Sequence, residues 1–388
     1  RQRLLKVWEE AEGHGGDLTP LGVRQHRGIA ERMYAAFPEA FKGNPSISAR
    51  STVVLRCAMS MVAFGDRLKE LNPDLRISYE ASEKYMDYLN YHTDESNRFT
   101  SSQDGPWAEE YRKFEEAHTN PERLVASLFK DKHFVLKKVN PKELMWGMYW
   151  VASDMQNAET KVSFYDLFEA QELFDLWQCV NYRFYVGNAN HADGKGIVVA
   201  NAKSLLRNIL DSADEAIRKG GIAATLRFGH DGNVIPLVAL MQIENCNVAV
   251  SDPYEVYKVW SDFKVVPMAA NVQIIFFRNE KSGDILVKVM HNENEVHIPV
   301  ETDMFPYYKW EDVERFYRNL LNFYASCMRS GFRFCLFRRT MLCPRTAGYA
   351  RLTRRRAGAI LFLQRIRRTV SCPSVSSTAL RSGARPEN

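Results

Sequence analysis

The residues best suited to chemistry stand together in Phe228-Gly229-His230-Asp231-Gly232-Asn233. An imidazole and a carboxyl group side by side are side-chain types that can take part in chemistry. The preceding run, Ile222 to Phe228, is short and apolar, of the buried-strand type. After it, Asn233 opens an apolar helix predicted over Val234 to Ile243, with Pro236 tolerated in the first turn. Reactive groups in open α/β sheets gather beyond the carboxyl ends of strands. The free amides of a following helix favour anions there. Gly229 and Gly232 let the backbone turn and approach a ligand. The plainer reading of the same residues is a polar strand-to-helix turn with Asp231 as a helix cap.

A second pair of charges lies in Ser48-Ala49-Arg50-Ser51-Thr52-Val53-Val54-Leu55-Arg56-Cys57. Ser46 to Arg50 reads as an extended segment, and Ser51-Thr52 as N-cap residues. Val54, Leu55, Met59, Val62, Ala63 and Leu68 then recur at helical spacing. Arg50 closes the strand and Arg56 sits early in the helix, so two guanidiniums could converge on one phosphate through bidentate hydrogen bonds. Two unconnected surface arginines are the bland alternative.

Other candidates are weaker. His291, Glu293, Glu295 and His297 resemble a metal cluster only if they share one strand, and the Asn-rich turn among them breaks that register. His14 lies in a Gly-rich loop, and Gly13 to Gly22 lacks the strand, spacing and Lys of a P-loop. The aromatic runs Tyr85 to Tyr91 and Trp146 to Trp150 fit a helical core better than a stacking platform. Cys57, Cys179 and Cys246 show no paired spacing, so neither a disulfide framework nor a zinc site is indicated.

The elements that must hold these groups are legible in part. The chain has 388 residues, 45% apolar and 26% charged, which excludes a disordered, collagen-like or disulfide-scaffold protein. No run approaches the roughly 18 apolar residues of a membrane span; Ala357 to Leu363 is far too short. Arg1 to Glu12 reads as a charged amphipathic helix, not a signal peptide. From Asp66 to about Phe174 the text is polar, aromatic and helix-rich, broken at Asn72-Pro73, Gly105-Pro106, Asn120-Pro121 and Asn140-Pro141, with no alternation of sheet type. A helix over Ala202 to Lys219 ends at Gly220-Gly221, before the apolar strand. Val272 to Phe277, Ile285 to Met290 and Val296 to Val300 form a meander, and Trp310 to Leu321 a final helix. Helix, strand, loop and helix in that order is the grammar of an α/β domain.

The net charge of +5 is unevenly spread. Residues 327–388 hold 14 Arg, no Lys, one acid (Glu387) and four of the seven Cys. An Arg-rich end suits nucleic acid. Without any sustained period it reads rather as out-of-frame or disordered text, and nucleic-acid binding is not expected.

Together these pieces resemble the histidine phosphatases, in the branch holding acid phosphatases, phytases and multiple inositol polyphosphate phosphatases. Asp17-Leu18-Thr19-Pro20-Leu21-Gly22 with Gln25 is similar to that branch's L-T-x-x-G segment. Arg50-Ser51-Thr52 through Arg56 to Ser60 resembles its R-S-[ST]…R-x-x-x-S element, and Gly229-His230-Asp231 its H-D motif. Leu205 to Ile217, Asn271 to Val300 and Pro306 to Trp310 are most like bacterial members of the inositol polyphosphate type.

The resemblance implies an α/β fold: a phosphoglycerate-mutase-like sheet flanked by helices, with an inserted, mostly α-helical cap. The discontinuous core would span 1–64 and 201–326, the cap 65–200, and 327–388 would be a tail. It implies that Asp231 is the proton donor, that His230 contacts phosphate, and that Arg56, with Arg50, binds phosphate. No metal or cofactor is implied. The substrate would be a phosphorylated small molecule, inositol polyphosphates favoured, and the location extracytoplasmic. The family's R-H-G-x-R segment, whose His becomes phosphorylated, does not occur in these 388 residues; Gln25-His26-Arg27-Gly28 has the wrong order. The chain therefore reads as a fragment whose nucleophile lies upstream. A non-catalytic phosphate-binding module is the alternative.

Overall fold

The computed structural model describes residues 1–131, 135, 137–330 and 356–362. Its described residues divide into two compact units, one containing Arg1–Asp17 with Glu116–Leu176, the other Leu18–Glu115 with the described residues from Trp177 onward.

The second unit is built on one sheet. Its strands are β1 (Ser46–Ser51), β2 (Arg76–Ala81), β3 (Ile222–Phe228), β4 (Val272–Arg278), β5 (Ile285–His291), β6 (Asn294–Glu295), β7 (Tyr307–Lys309) and β8 (Arg356–Phe362). The order is β2-β1-β3-β8-β4-β5-β6, with β7 also on β5. β2, β1, β3 and β8 run parallel, whereas β4 is antiparallel to both β8 and β5. This is the mixed α/β sheet with flanking helices that the sequence implies.

Alternation along β1 explains how the sheet is held. Ile47, Ala49 and Ser51 are buried, while Ser46, Ser48 and Arg50 on the other face are half-buried. Against the first face pack α1 (Pro20–Ala36) and α2 (Leu55–Leu71), through Ile29, Met33, Met61, Phe64 and Leu68. Helix α1 opens as the L-T-P-L-G segment dictates: Thr19 Oγ1 accepts from Gly22 N–H at 3.1 Å, and Pro20 occupies the first turn. A larger core gathers α3 (Lys203–Lys219), α4 (Asp231–Leu240) and α5 (Trp310–Ser330), with Leu206, Ile209, Val234, Leu237, Val313 and Tyr317 fully buried. Gly220, at φ 67°, ends α3 as its sequence predicts.

Three expectations are corrected here. β2 lies inside the span read as mostly helical and without sheet-type alternation. Ile77 is its one aliphatic side chain larger than Ala, both of its faces are largely exposed, and it pairs only with β1, so an edge strand of this kind carries no alternating signal. The third meander strand is only Asn294–Glu295, reached by a two-residue turn with Asn292 at φ 51° and Glu293 at φ 64°. Finally, Arg356–Phe362 lies in the span read as a tail, yet it pairs between β3 and β4. A short apolar run, too short for a membrane, has the length of a buried strand. Helix α5 also runs into that span, as far as Ser330, and the rest of the tail reading falls outside the described residues.

The first unit is helical, with helices at Gln2–Ala11, Glu122–Leu128 and Pro141–Asp154. Leu124, Met145, Tyr149, Ala152 and Phe164 are buried in it. Arg3 pairs with Asp166 at 2.8 Å, and Arg123 Nε with Glu172 at 2.7 Å. The units divide at 17/18, inside the span expected for the core, and at 115/116 and 176/177, inside the 65–200 span expected for the cap. Among the described residues no helix is long and apolar enough to cross a membrane.

Candidate functional site

β1 and β3 are neighbours in parallel register, Ser51 opposite Phe228, so both chains leave the sheet at the same end. Thr52 N–H donates to Phe228 O at 3.1 Å and ties the two exits together. Each exit leads into a helix N-terminus, α2 from Leu55 and α4 from Asp231. Helix α2 has Val54 as its N-cap and no side-chain cap, so its first amides are left without a side-chain acceptor. Two helix N-termini side by side favour negative charge at this end of the sheet.

The side chains converge on His230. Thr52 Oγ1 lies 3.2 Å from His230 Nε2, and Cys57 Sγ lies 3.8 Å from both ring nitrogens. Cys57 also donates to Gly229 O at 3.4 Å. On the other side, Asn233 Oδ1 accepts from His230 N–H at 2.9 Å, which fixes the backbone just before α4. Asp231 is buried, and its Oδ1 accepts from Gly232 N–H at 3.0 Å. Helix α4 starts at Asp231, three residues before the predicted start, so Pro236 lies in the helix interior rather than in the first turn. Pro236 lacks the N–H that would bond Gly232 O in a regular helix.

Cys57 is the one thiol here and a potential rival nucleophile. Burial is the main cause that pushes its pKa up, ahead of the lowering by Thr52 and by the charge of Arg56; Asp231 pushes it up as well. A thiol held protonated by desolvation is a poor nucleophile. The same influences place Arg56 and Asp231 on opposite electrostatic sides of one sulfur atom. The Arg56 Nε–H is buried and meets no acceptor among the described residues. An unsatisfied cationic donor is costly unless an anion answers it.

The structure brings together His230, Asp231 and Arg56 around Cys57, but it does not bring Arg50 to them. Side-chain alternation turns Arg50 to the face of β1 opposite the one α2 covers. There its guanidinium stacks on the Tyr85 ring at 4.8 Å and donates to Tyr88 Oη at 3.4 Å. Ser51 and Thr52 are not helix caps either: Ser51 Oγ donates to Thr52 O, and Thr52 serves His230. Sequence reasoning missed Thr52, Cys57 and Asn233 as site residues. The signal lay in their nearness to Arg56 and His230 along the chain.

The residues considered for a metal are engaged separately. His291 Nε2 lies 2.8 Å from Val265 O, Glu293 pairs with Arg32, Glu295 with Lys288, and His297 stacks on Phe305. Among the described residues, no three His, Cys, Asp or Glu are placed to share an ion. His14 is exposed beside Asp17, at 3.1 Å.

Gly229 is fixed by close approach. A Cβ there would stand 2.7 Å from Asn233 Oδ1, the atom that holds the His230 amide. Gly229→Ala is therefore expected to displace Asn233 and destabilise the protein by about 1–3 kcal/mol. Urea unfolding measures this, and a value within about 0.5 kcal/mol of the parent would show that Asn233 does not hold the turn.

Fold and geometry define an α/β protein whose candidate site lies at the carboxyl ends of adjacent parallel strands, beside two helix N-termini. The model of the histidine phosphatase superfamily (branch 2) matches residues 8–292, and the chain belongs to that superfamily. Among solved structures it is similar to the multiple inositol polyphosphate phosphatase of Bifidobacterium longum in complex with inositol hexasulfate. The TM-score is 0.65 at 19% identity, over 77% of this chain and 79% of that one. It is also similar to the phytase from D. castellii, with a TM-score of 0.57 at 12% identity, over 77% and 63%. The fold expected from sequence is the fold these proteins share. A search of curated protein sequences gave no match.

Proposed function

We propose that this chain provides the phosphate-binding and proton-donating groups of a phosphomonoester hydrolase acting through a phosphohistidine. The observation that carries this is the convergence of His230, Asp231 and the unpaired Arg56 Nε–H where β1 and β3 end, at two helix N-termini. In this scheme a histidine attacks phosphorus, breaking the bond to the leaving oxygen, and Asp231 protonates that oxygen. Water then attacks phosphorus, releases inorganic phosphate and frees the histidine. Arg56 and His230 neutralise the equatorial oxygens. Inositol polyphosphates are the proposed substrates. Family resemblance supports them, as does fold similarity to a protein whose structure holds inositol hexasulfate. An extracytoplasmic location is proposed on the same resemblance.

No R-H-G-x-R segment occurs in the 388 residues, and that observation favours a second reading, a module that binds phosphate esters without turnover. One experiment separates the two. The 388-residue chain, alone and extended by a segment bearing R-H-G-x-R, is assayed on an aryl phosphate and on inositol hexakisphosphate. Phosphate release only from the extended chain is the expected result. Binding without release from both supports the module, and robust release from the unextended chain would show that the nucleophile lies within it.

A further inference from the structure

The face of the sheet turned away from α1 and α2 carries a second concentration of positive charge. Three arginines from three neighbouring strands meet there: Arg76 on β2, Arg50 on β1 and Arg227 on β3, with Arg50 directly opposite Arg227 in register. They line a cavity of about 350 Å³ together with hydroxyls of Ser48, Ser78 and Ser212. Such a sheet face is normally filled by aliphatic side chains from the covering helix. Here it is polar.

Among the described residues no carboxylate forms a direct ion pair with these three arginines: Glu80, opposite Arg50 in register, is bound to Lys84, and Glu215 meets only the longer-range charge of Arg50. Arg227 is 1% exposed, and its guanidinium donates to neutral oxygens: Asn208 Oδ1 at 2.8 Å, Ser212 Oγ at 2.7 Å and Thr225 Oγ1 at 3.3 Å. Burial, the main cause, and the nearby charge of Arg50 depress it to about 10, so it remains a cation at neutral pH. Arg50 leaves a buried Nε–H without an acceptor among the described residues. The Arg76 Nε–H is given to Asn44 O at 3.0 Å. Glu215 is the one acid lining the cavity, and it is held by Lys219 at 2.5 Å. Like-charged groups gathered in a partly dry site are costly unless an anion enters.

We infer that this cavity is a second oxyanion site, distinct from the His230 site, that takes a phosphoryl group. The buried Arg50 Nε–H, the Arg76 N–H groups other than the one given to Asn44 O, and the Ser48 hydroxyl supply donors from two strands, and the Arg227 cation adds buried charge, the combination that a tetrahedral oxyanion answers. The volume admits a free phosphate ion or one phosphoryl group of a larger polyanion. The inference does not depend on turnover at His230.

The test uses the full chain carrying Arg56→Ala, which disables the His230 site. Calorimetric titration with inorganic phosphate should then still show one saturable site. Adding Arg76→Ala should weaken it roughly 10- to 100-fold, the effect of losing one charge-assisted donor. Adding Ser48→Asp, which puts a carboxylate into the cavity, should abolish it. Arg76 is exposed on an edge strand, so its variant decides the matter if Ser48→Asp fails to fold. Titration with inositol hexakisphosphate distinguishes the sources. Displacement of phosphate means that a polyphosphorylated ligand is held through one of its groups, and no displacement means that the site takes the free ion. Absence of saturable binding in Arg56→Ala, or binding unchanged by both further substitutions, overturns the inference.

Discussion

In the chain extended by an R-H-G-x-R segment, Asp231→Asn is expected to lower kcat/KM for inositol phosphates by about 10²- to 10⁴-fold. It should lower kcat/KM far less for an activated aryl phosphate. The departing inositol alkoxide is strongly basic and cannot leave without a proton, whereas an activated phenolate leaves unaided. Asp231 is buried at the start of α4, beside His230 and within electrostatic reach of Cys57. Its Oδ1 accepts from Gly232 N–H, and Asn would keep an oxygen for that bond. A purely structural role would therefore survive Asp231→Asn, and both substrates would keep their rates. Equal large losses on both would make Asp231 an organiser of the phosphate site, with the proton coming from elsewhere. The substrate ratio is what tells these outcomes apart.

How much of this site was legible in the sequence depended on how local each signal is. β3 and the end of α3 at Gly220 each rest on a periodicity or punctuation contained in a few residues, and the structure has them where the sequence puts them, whereas α4 begins at Asp231, three residues ahead of its expected start. β2 escaped because an edge strand without a buried face has no pattern to read. Ser51 and Thr52 looked like helix caps because local preference is all that a single segment offers. Their actual partners, Thr52 O and the imaginably distant His230, include one 178 residues away. The separation of Arg50 from Arg56 was readable in principle. Alternation along β1 puts Ala49 and Arg50 on opposite faces, and the apolar residues Ile47 and Ala49 mark the face α2 must cover. What no sequence pattern reveals is that Arg50 then meets Arg227 across two strands.

Arg56→Ala is expected to weaken phosphate binding at the His230 site by about 10²- to 10⁴-fold. Hydrogen bonds to charged groups contribute about 1.5–3 kcal/mol each, and a bidentate guanidinium–phosphate contact supplies two of them. The probe is inorganic phosphate, followed through the His230 imidazole resonance, which reports this site and not the cavity at Arg227. Arg56→Lys should recover only part of the loss, because an ammonium keeps the charge and forfeits the planar fork. Arg50→Ala is the contrasting case. Its guanidinium is turned toward Tyr85 and Tyr88, so its removal should leave the His230 response to phosphate within about threefold of the parent. Equal losses from Arg50→Ala and Arg56→Ala would mean that both arginines bind one phosphate, as the sequence alone allows. A loss confined to Arg56→Ala means that strand alternation, not nearness along the chain, decides which arginine meets the substrate.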